Sequence, residues 1–158
     1  MDSSAGGLRT VEKKEIIQKT KNIVDQVGDL ESKLKGICLL LHNNMDGYDW
    51  VGFYLVEEGE LVLGPYIGEP TEHTNIEFGE GICGQAVEKE ESFLVDDVDR
   101  EENYLSCSPK VKSEIVVPIF KEGEVVGEID IDSHEVERFT EEDEEMLEKM
   151  AEIIGKIL

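Results

Sequence analysis

The stretch SEIVVPIFKEGEVVGEIDIDS, residues 113–133, carries the clearest fold signal in the chain. Apolar residues alternate with other residues on both sides of the sequence KEG, which predicts two antiparallel strands joined as a hairpin. A two-residue turn alone would place the apolar side chains of one strand on the polar face of the other. We therefore expect a three-residue loop, residues 121–123, with Gly123 in the left-handed conformation that such loops require.

This register gathers three acidic side chains on the face opposite the apolar set. It pairs Ile115 with Ile129, places Glu114 directly opposite Asp130 and leaves Asp132 diagonal to Glu114. Like charges opposite one another destabilise a sheet, so a bound cation, an amine or a proton should offset them. Because 38 of the 158 residues are acidic, an ordinary solvated face is the alternative interpretation.

The remaining pattern predicts helices around this sheet. Apolar spacing indicates helices over residues 11–27 and 30–43, and Thr140 is a good N-cap for a last helix. A second hairpin turns at residues 57–60, a glycine-rich turn around Cys83 leads into a short helix from Gln85, and residues 92–98 contain a short strand. We expect one α+β domain over residues 11–158, with the helices on one face of an antiparallel sheet and a flexible segment 1–10.

Charge and composition exclude several classes of function. The net charge of −23 opposes binding to nucleic acid and to anionic membrane surfaces. No apolar run approaches the roughly 20 residues of a membrane-spanning helix, and residues 1–10 lack the apolar core of a signal peptide. We therefore expect a cytoplasmic location, where thiols stay reduced. The three cysteines form no C-x-x-C pair and the three histidines are far apart, so we expect no metal site.

Two of the cysteines lie where a buried structural cysteine is not expected. Cys107 lies in a polar loop shortly before the acidic cluster, and Cys83 lies in the glycine-rich turn, where we expect it to be accessible. Lys110 and Lys112 would favour the thiolate of Cys107, whereas the acids would disfavour it. The two cysteines are either an attacking and resolving pair, which closes a disulfide, or unrelated loop residues. Cys38 belongs to an apolar helix stripe and should be buried.

Six motifs occur in the order found in the free methionine-(R)-sulfoxide reductases, and the chain resembles this family from about residue 50 to residue 147. The motifs are WVGFYL, LVLGPYIG, FGEGICGQA, SEIVVPI, GEIDIDS and RFTEEDEEML. The family consists of small stand-alone GAF-domain enzymes. The resemblance implies a GAF-like antiparallel sheet, with the N- and C-terminal helices packed on one face and a ligand pocket on the other.

The resemblance also implies roles for seven residues. Cys107 would attack the sulfoxide sulfur, Cys83 would resolve the product as a redox-active disulfide, and the other five would bind the substrate: Glu114, Asp130, Asp132, Trp50 and Tyr54. The implied substrate is free methionine sulfoxide, and the implied reductant is a thioredoxin-like dithiol. The implied role of the enzyme is in oxidative stress. No cofactor is expected. Apolar helix stripes favour a homodimer.

One departure from the family pattern leaves alternatives open. Family members often carry a third cysteine in the loop before FGEGICG, and this loop, EPTEHTNIE, has His73 instead. His73 is either a proton shuttle or a solvated loop residue. The alternative functions are a non-catalytic GAF module that senses a small amine or amino acid, and a structural partner that dimerises through its terminal helices.

Overall fold

The computed structural model describes residues 5–102, 104 and 109–158, with side chains from residue 13 onward. The helices are α1 (Ala5–Asp25), α2 (Leu30–Asn44), α3 (Gly81–Lys89) and α4 (Glu141–Ile154), with short 3-10 turns at Val98–Arg100 and Gly155–Ile157. The strands are β1 (Trp50–Glu57), β2 (Glu60–Ile67), β3 (Asn75–Glu77), β4 (Phe93–Val95), β5 (Ser113–Lys121) and β6 (Glu124–Ser133).

The described strands form one six-stranded sheet in the order β3-β2-β1-β6-β5-β4. Each pair of neighbouring strands is antiparallel. The first and last strands, β1 and β6, pair at the centre, so the two long hairpins lie side by side. No helix in the described ranges is long and apolar enough to span a membrane.

Alternation along the central strands gives the sheet two buried faces. One face packs under α1, α2 and α4, and its strand residues include Val51, Phe53, Ile115, Val117, Ile119, Ile129 and Ile131. The other face packs against α3, and its strand residues include Trp50, Tyr54 and Val116. The predicted α+β fold, with the terminal helices on one face, is therefore confirmed.

The predicted helices are present with modest changes at their ends. Helix α1 begins at Ala5, earlier than the expected residue 11, and α2 ends at Asn44. Thr140 caps α4 as expected, since its hydroxyl oxygen accepts from the backbone N–H of Asp143 at 3.4 Å. In return, the backbone N–H of Thr140 donates to the Asp143 carboxylate at 2.8 Å, which completes a capping box. Cys38 is fully buried, as predicted. Residues 1–4 lie outside the described residues, so the flexible N-terminal segment stays a prediction.

The β5–β6 hairpin does not have the predicted three-residue loop. Its turn consists of two residues, 122 and 123, with φ of 52° and 83°. Ile119 pairs with Gly127, whereas the next residue of β5 pairs with Val125, so Val126 is left as an extra residue on β6. A two-residue turn alone would place the apolar side chains of β5 and β6 on opposite faces. This β-bulge returns them to the same face.

Because of the bulge, the acids pair differently from the prediction. Glu114 lies opposite Asp132, and Asp130 lies opposite Val116, so the expected Glu114–Asp130 pair is wrong. The predicted register differs from the observed one by two residues along β6, as Ile115 pairs with Ile131. Because side chains alternate with a period of two, the faces are unchanged, and the acids still share one side.

Helix α3 lies very close to the turn before it. The backbone N–H of Gly79 donates to the carbonyl of Gly84 at 2.8 Å, and the N–H of Gly84 donates to the carbonyl of Glu80 at 2.9 Å. A Cβ atom added to Gly84 would lie 2.4 Å from the carbonyl oxygen of Glu77. The absence of a side chain at Gly84 therefore lets α3 seat against this turn.

We expect Gly84→Ala to lower the free energy of unfolding by about 1–3 kcal/mol, because the backbone must move to relieve the clash. This loss outweighs the roughly 1 kcal/mol that alanine gains over glycine inside a helix. Gly36→Ala in α2 is the control, since its Cβ would lie 3.8 Å from Ile23, an ordinary contact. Urea unfolding followed by circular dichroism should show Gly36→Ala at or above wild-type stability. Equal losses in both variants would contradict the argument.

Candidate active site

Four carboxyl side chains are buried together on the face of the sheet that α3 covers. Glu128, Asp130 and Asp132 alternate along β6 and are 0%, 1% and 1% exposed. Glu114 on β5 is 5% exposed and lies opposite Asp132. The alternative of a solvated acidic face is therefore wrong. Sequence reasoning missed Glu128, although the alternation that selected Asp130 and Asp132 also includes it.

Each acid on β6 lies between one residue of β1 and one of β5. The three rows are Trp50–Asp132–Glu114, Gly52–Asp130–Val116 and Tyr54–Glu128–Pro118. The Trp50 ring lies over Gly52, because a Cβ there would be 2.5 Å from the indole. The indole therefore covers the backbone position that pairs with Asp130.

Several oxygens of the cluster are buried without a donor among the described residues. They are both carboxyl oxygens of Glu128, both of Asp132 and Oδ1 of Asp130. Buried polar atoms almost always have a hydrogen-bond partner, so such a group calls for a ligand or a proton. An ionised carboxylate only accepts hydrogen bonds, and neighbouring carboxyl groups can bond to each other only when one keeps its proton.

Burial raises the pKa of all four carboxyl groups above the ordinary range. For Glu114 the negative charges of Asp130 and Asp132 raise the pKa further. The nearby Cys83 thiol partly offsets the increase at Glu128, while the charge of Asp130 raises the pKa values of Glu128 and Asp132 further. Hydrogen bonds from Glu114 and Cys83 limit the increase at Asp130. The cluster therefore holds protons at a pH where exposed acids have lost theirs.

The structure places Cys83 on helix α3, whose first residue is Gly81, and not on an accessible turn before it. Cys83 is only 6% exposed, so the expectation of an accessible thiol is wrong for this conformation. Its Sγ atom and carboxyl oxygens of Glu114 and Asp130 all lie within 4.8 Å of one another. Burial, followed by the charges of Asp130, Glu128 and Glu114, raises the pKa of the thiol well above its usual value. Cys83 is therefore a protonated thiol in contact with acids.

A small cavity lies at the centre of this group. Its volume is about 10 Å³, enough for roughly one water. The lining residues are Tyr54, His73, Ile76, Ile82, Cys83, Glu114 and Asp130. An amino acid does not fit in this volume, so binding of such a ligand must widen the cavity.

Two aromatic side chains hold the β2–β3 loop, residues 68–74, beside the cluster. The hydroxyl of Tyr54 donates to the carbonyl of His73 at 2.8 Å, and Trp50 Nε1 donates to the carbonyl of Glu69 at 2.9 Å. Trp50 also stacks on Tyr66, with ring centroids 5.3 Å apart. The loop that lacks the third family cysteine is thus fastened to β1, and it brings His73 to the cavity.

Most of the predicted site residues come together in the described structure. Cys83, Glu114, Asp130 and Tyr54 line the cavity, while Asp132 and Trp50 lie in the adjoining row of the sheet. Cys107, the predicted attacking cysteine, lies outside the described residues.

Comparisons with known proteins agree with this fold. A family model described as GAF domain matches residues 28–158. A curated Dictyostelium discoideum protein, GAF domain-containing protein A, is 42% identical over 106 residues, which are 66% of this chain and 66% of that protein. The free methionine-R-sulfoxide reductase of Escherichia coli is 36% identical over 125 residues, covering 79% of this chain and 75% of the enzyme.

A solved structure gives the same result. The free methionine-R-sulfoxide reductase of Neisseria meningitidis, determined in complex with its substrate, superimposes with a TM-score of 0.87 at 36% identity. The match covers 92% of this chain and 87% of that chain. Fold and family model together define the present protein as a GAF domain. Within this class, the chain belongs to the free methionine-R-sulfoxide reductases, a family of oxidoreductases.

The raised carboxyl pKa values predict that stability falls as the pH rises. The protonated cluster contributes its full stability below the ordinary carboxyl pKa, 4.5 for a glutamate, and this contribution is lost as the pH passes through the raised values. Glu128→Gln removes one of these groups. We expect the variant to lose less stability than wild type between about pH 5 and pH 8, with a gain on the order of 1 kcal/mol at the higher pH.

Urea unfolding across this pH range measures the effect, and Glu124→Gln is the matched control because Glu124 is exposed on the same strand. The control should keep the wild-type pH dependence. If Glu128→Gln also keeps it, Glu128 does not retain a proton in the folded state.

Proposed function

We propose that this chain reduces free L-methionine (R)-sulfoxide to methionine by thiol chemistry. The observation that carries the proposal is the grouping of the Cys83 thiol with the carboxyl groups of Glu114 and Asp130 around one cavity. The E. coli and Neisseria relatives, both named free methionine-R-sulfoxide reductases, support the same substrate.

The buried acids support a free amino acid as the substrate in preference to a methionine residue within a protein. A free amino acid carries an ammonium group, which can donate three hydrogen bonds to carboxyl oxygens that lack donors. A methionine residue in a peptide has an uncharged amide at this position. The cationic group would offset the repulsion among the acids, whereas the amide would not.

The proposed reaction uses Cys107 and Cys83 in sequence. The sulfur of Cys107 attacks the sulfoxide sulfur, and the S–O bond breaks as the oxygen passes to the cysteine, which gives methionine and a sulfenic acid. The thiol of Cys83 then attacks the sulfenic sulfur, which forms the disulfide and releases the oxygen as water. An external dithiol of the thioredoxin class reduces the disulfide by exchange and restores both thiols.

Protons for this reaction come from the carboxyl cluster. The sulfoxide oxygen must gain protons before it can leave, and a general acid should hold a proton near neutral pH. Glu114 meets this requirement, because burial and two acidic neighbours raise its pKa and because it lines the cavity. Trp50 and Tyr54 offer aromatic surface for the methyl and methylene groups of the substrate.

The remaining expectations follow from this chemistry. Each turnover consumes a reduced thiol pair, which suits the cytoplasm and a role under oxidative stress. The homodimer stays a prediction, supported by the exposed apolar side chains Val27, Leu30 and Leu39. The mass of the protein in solution tests it.

The proposed mechanism assigns different steps to Cys107 and Cys83. Assays with racemic methionine sulfoxide as substrate and dithiothreitol as reductant test this assignment. Wild type should consume about half of the racemate, because one sulfoxide epimer is a substrate. Cys107→Ser should abolish turnover. Cys83→Ser should form one methionine per protein without reductant and leave a sulfenic acid that a selective reagent labels at Cys107. Cys38→Ser is the control, since Cys38 is buried on the opposite face of the sheet, and should retain activity.

Full activity of Cys107→Ser would remove Cys107 from the mechanism. Binding of the amino acid without turnover in wild type would instead support the sensor function.

The carboxyl cluster predicts that the substrate's ammonium group is required. We expect Glu114→Gln to lower kcat/KM by about 100-fold or more, since a charge-assisted hydrogen bond to the ammonium and a proton donor are both lost. Wild type should reduce N-acetylmethionine sulfoxide with a comparable loss. Glu124→Gln, at an exposed position, should match wild type. Equal kcat/KM for the free and the acetylated substrates would show that the acids do not recognise the ammonium group.

A further inference from the structure

We propose that the reduced protein binds Zn²⁺ through Cys83, Glu114 and Asp130, and that the bound ion excludes the disulfide-forming reaction. The site lies within the proposed active site. Binding of the ion stands on the geometry alone, whereas its inhibitory effect rests on the proposed function.

The geometry of the three side chains suits one ion. Their ligand atoms, one sulfur and two carboxyl oxygens, lie within 4.8 Å of one another. Zinc binds thiolate sulfur at about 2.3 Å and carboxylate oxygen at about 2.0–2.2 Å in a tetrahedral arrangement, so two such ligands of one ion lie roughly 3.4–3.6 Å apart. Side-chain movements that bring the ligand atoms closer by up to about 1 Å therefore complete a three-ligand site.

The chemistry of the donors favours zinc over magnesium or calcium. Thiolate is a soft ligand, and mixed sulfur and oxygen donors suit Zn²⁺, whereas the hard cations prefer oxygen alone. The three ligands come from α3, β5 and β6, which are packed elements and not a loop. The set is therefore largely formed before an ion binds.

Unpartnered oxygens are the second, independent observation for a ligand here. Oδ1 of Asp130, a residue that is 1% exposed and lines the cavity, has no donor among the described residues. Both oxygens of Asp132 and both of Glu128 lack donors as well, and these groups adjoin Asp130 on the same strand face. A divalent cation would supply the positive charge that this group of acids lacks.

The size of the cavity favours a zinc ion over the substrate. Its volume of about 10 Å³ holds roughly one water, and one zinc ion takes similar space. Methionine sulfoxide requires the cavity to widen, whereas an ion does not. The closed conformation described here is therefore the one that favours the metal.

Binding of the ion replaces protons and blocks the resolving step. The Cys83 thiol loses its proton to solvent as the S–Zn bond forms, with no change in oxidation state. A zinc-bound sulfur is a weaker nucleophile towards a sulfenic acid than a free thiolate, and a Cys83 disulfide leaves no thiolate for zinc. Metal-bound and disulfide-bonded forms are therefore mutually exclusive.

Binding can be measured on the reduced protein without substrate. Titration with Cd²⁺ should produce the ultraviolet charge-transfer absorption of a cadmium–thiolate bond, and Zn²⁺ should remove it by competition. The probe variants are Cys83→Ser and Asp130→Asn, with Cys38→Ser as control. We expect each probe variant to weaken Zn²⁺ binding about 100-fold, Cys83→Ser to abolish the absorption, and Cys38→Ser to match wild type. Circular dichroism confirms that each variant is folded.

Two results would overturn the inference. One is Zn²⁺ binding that survives both Cys83→Ser and Asp130→Asn in folded protein. The other is loss of binding in Cys107→Ser alone, which would assign the ion to another thiol. Persistence of binding in Cys107→Ser supports the site.

The reductase assay then separates the site from the proposed function. Turnover without metal that stops on addition of one equivalent of Zn²⁺, and returns with a chelator, supports the inhibitory part. If binding is present but the metal-free protein shows no turnover, the proposed function fails and the metal site stands. If turnover is present and no Zn²⁺ binds, the metal inference alone fails.

Discussion

The bulge at Val126 is the constraint on which the rest of the molecule depends. The two-residue turn before it would set the alternation of β6 out of phase with β5, and the extra residue returns it to phase. As a result, Ile129 and Ile131 enter the core under the helices. The same alternation directs Asp130 and Asp132 to the opposite face, towards α3. The fold and the site are therefore set by one local feature of one hairpin.

Burying four carboxyl groups on that face opposes folding. Each ionised carboxylate removed from water costs several kcal/mol unless a partner compensates, and here the oxygens of Glu128 and Asp132 lack described donors. Carboxyl groups that keep their protons reduce this cost in free energy, but they make the stability of the protein depend on pH. The large apolar core on the other face supplies the stability that tolerates the arrangement. The sheet lies between the acidic site and helices α1, α2 and α4. The unfavourable burial of the acids therefore does not disturb the packing of these helices.

Much of the fold could be predicted from periodicity. The alternation in β1, β5 and β6, the apolar stripes of the helices and the Thr140 cap are local signals, and the structure confirms them. The predicted loop length was wrong because two arrangements fit the same alternation. A two-residue turn with a bulge and a three-residue loop shift the pairing of β6 by two residues relative to each other, which leaves every side chain on the same face. Sequence alternation therefore identifies the face of Glu114 but not its partner across the hairpin.

The candidate site was predicted less completely, for physical reasons. Glycines on both sides of Cys83 indicated a loop, yet Gly84 serves close packing of α3 against a carbonyl, and this packing buries the thiol. Glu128 shares the alternation that selected Asp130 and Asp132, but its burial depends on α3 and on the neighbouring strands, which the sequence does not show. The loop that Trp50 and Tyr54 fasten was likewise not predictable, since both hydrogen bonds join side chains to backbone atoms far along the chain.

The central pairing of β1 with β6 has a consequence for how the molecule forms. Trp50 pairs with Asp132, so the row that contains both residues exists only after the two hairpins, distant in sequence, have met. Closing such long loops is slow compared with forming a local hairpin. During synthesis, β1 and β2 leave the ribosome long before β6 is available, and their site-facing surface has no central partner until then. Until then the unpaired edge of β1 can pair with other chains, which makes it a site for aggregation of the nascent chain.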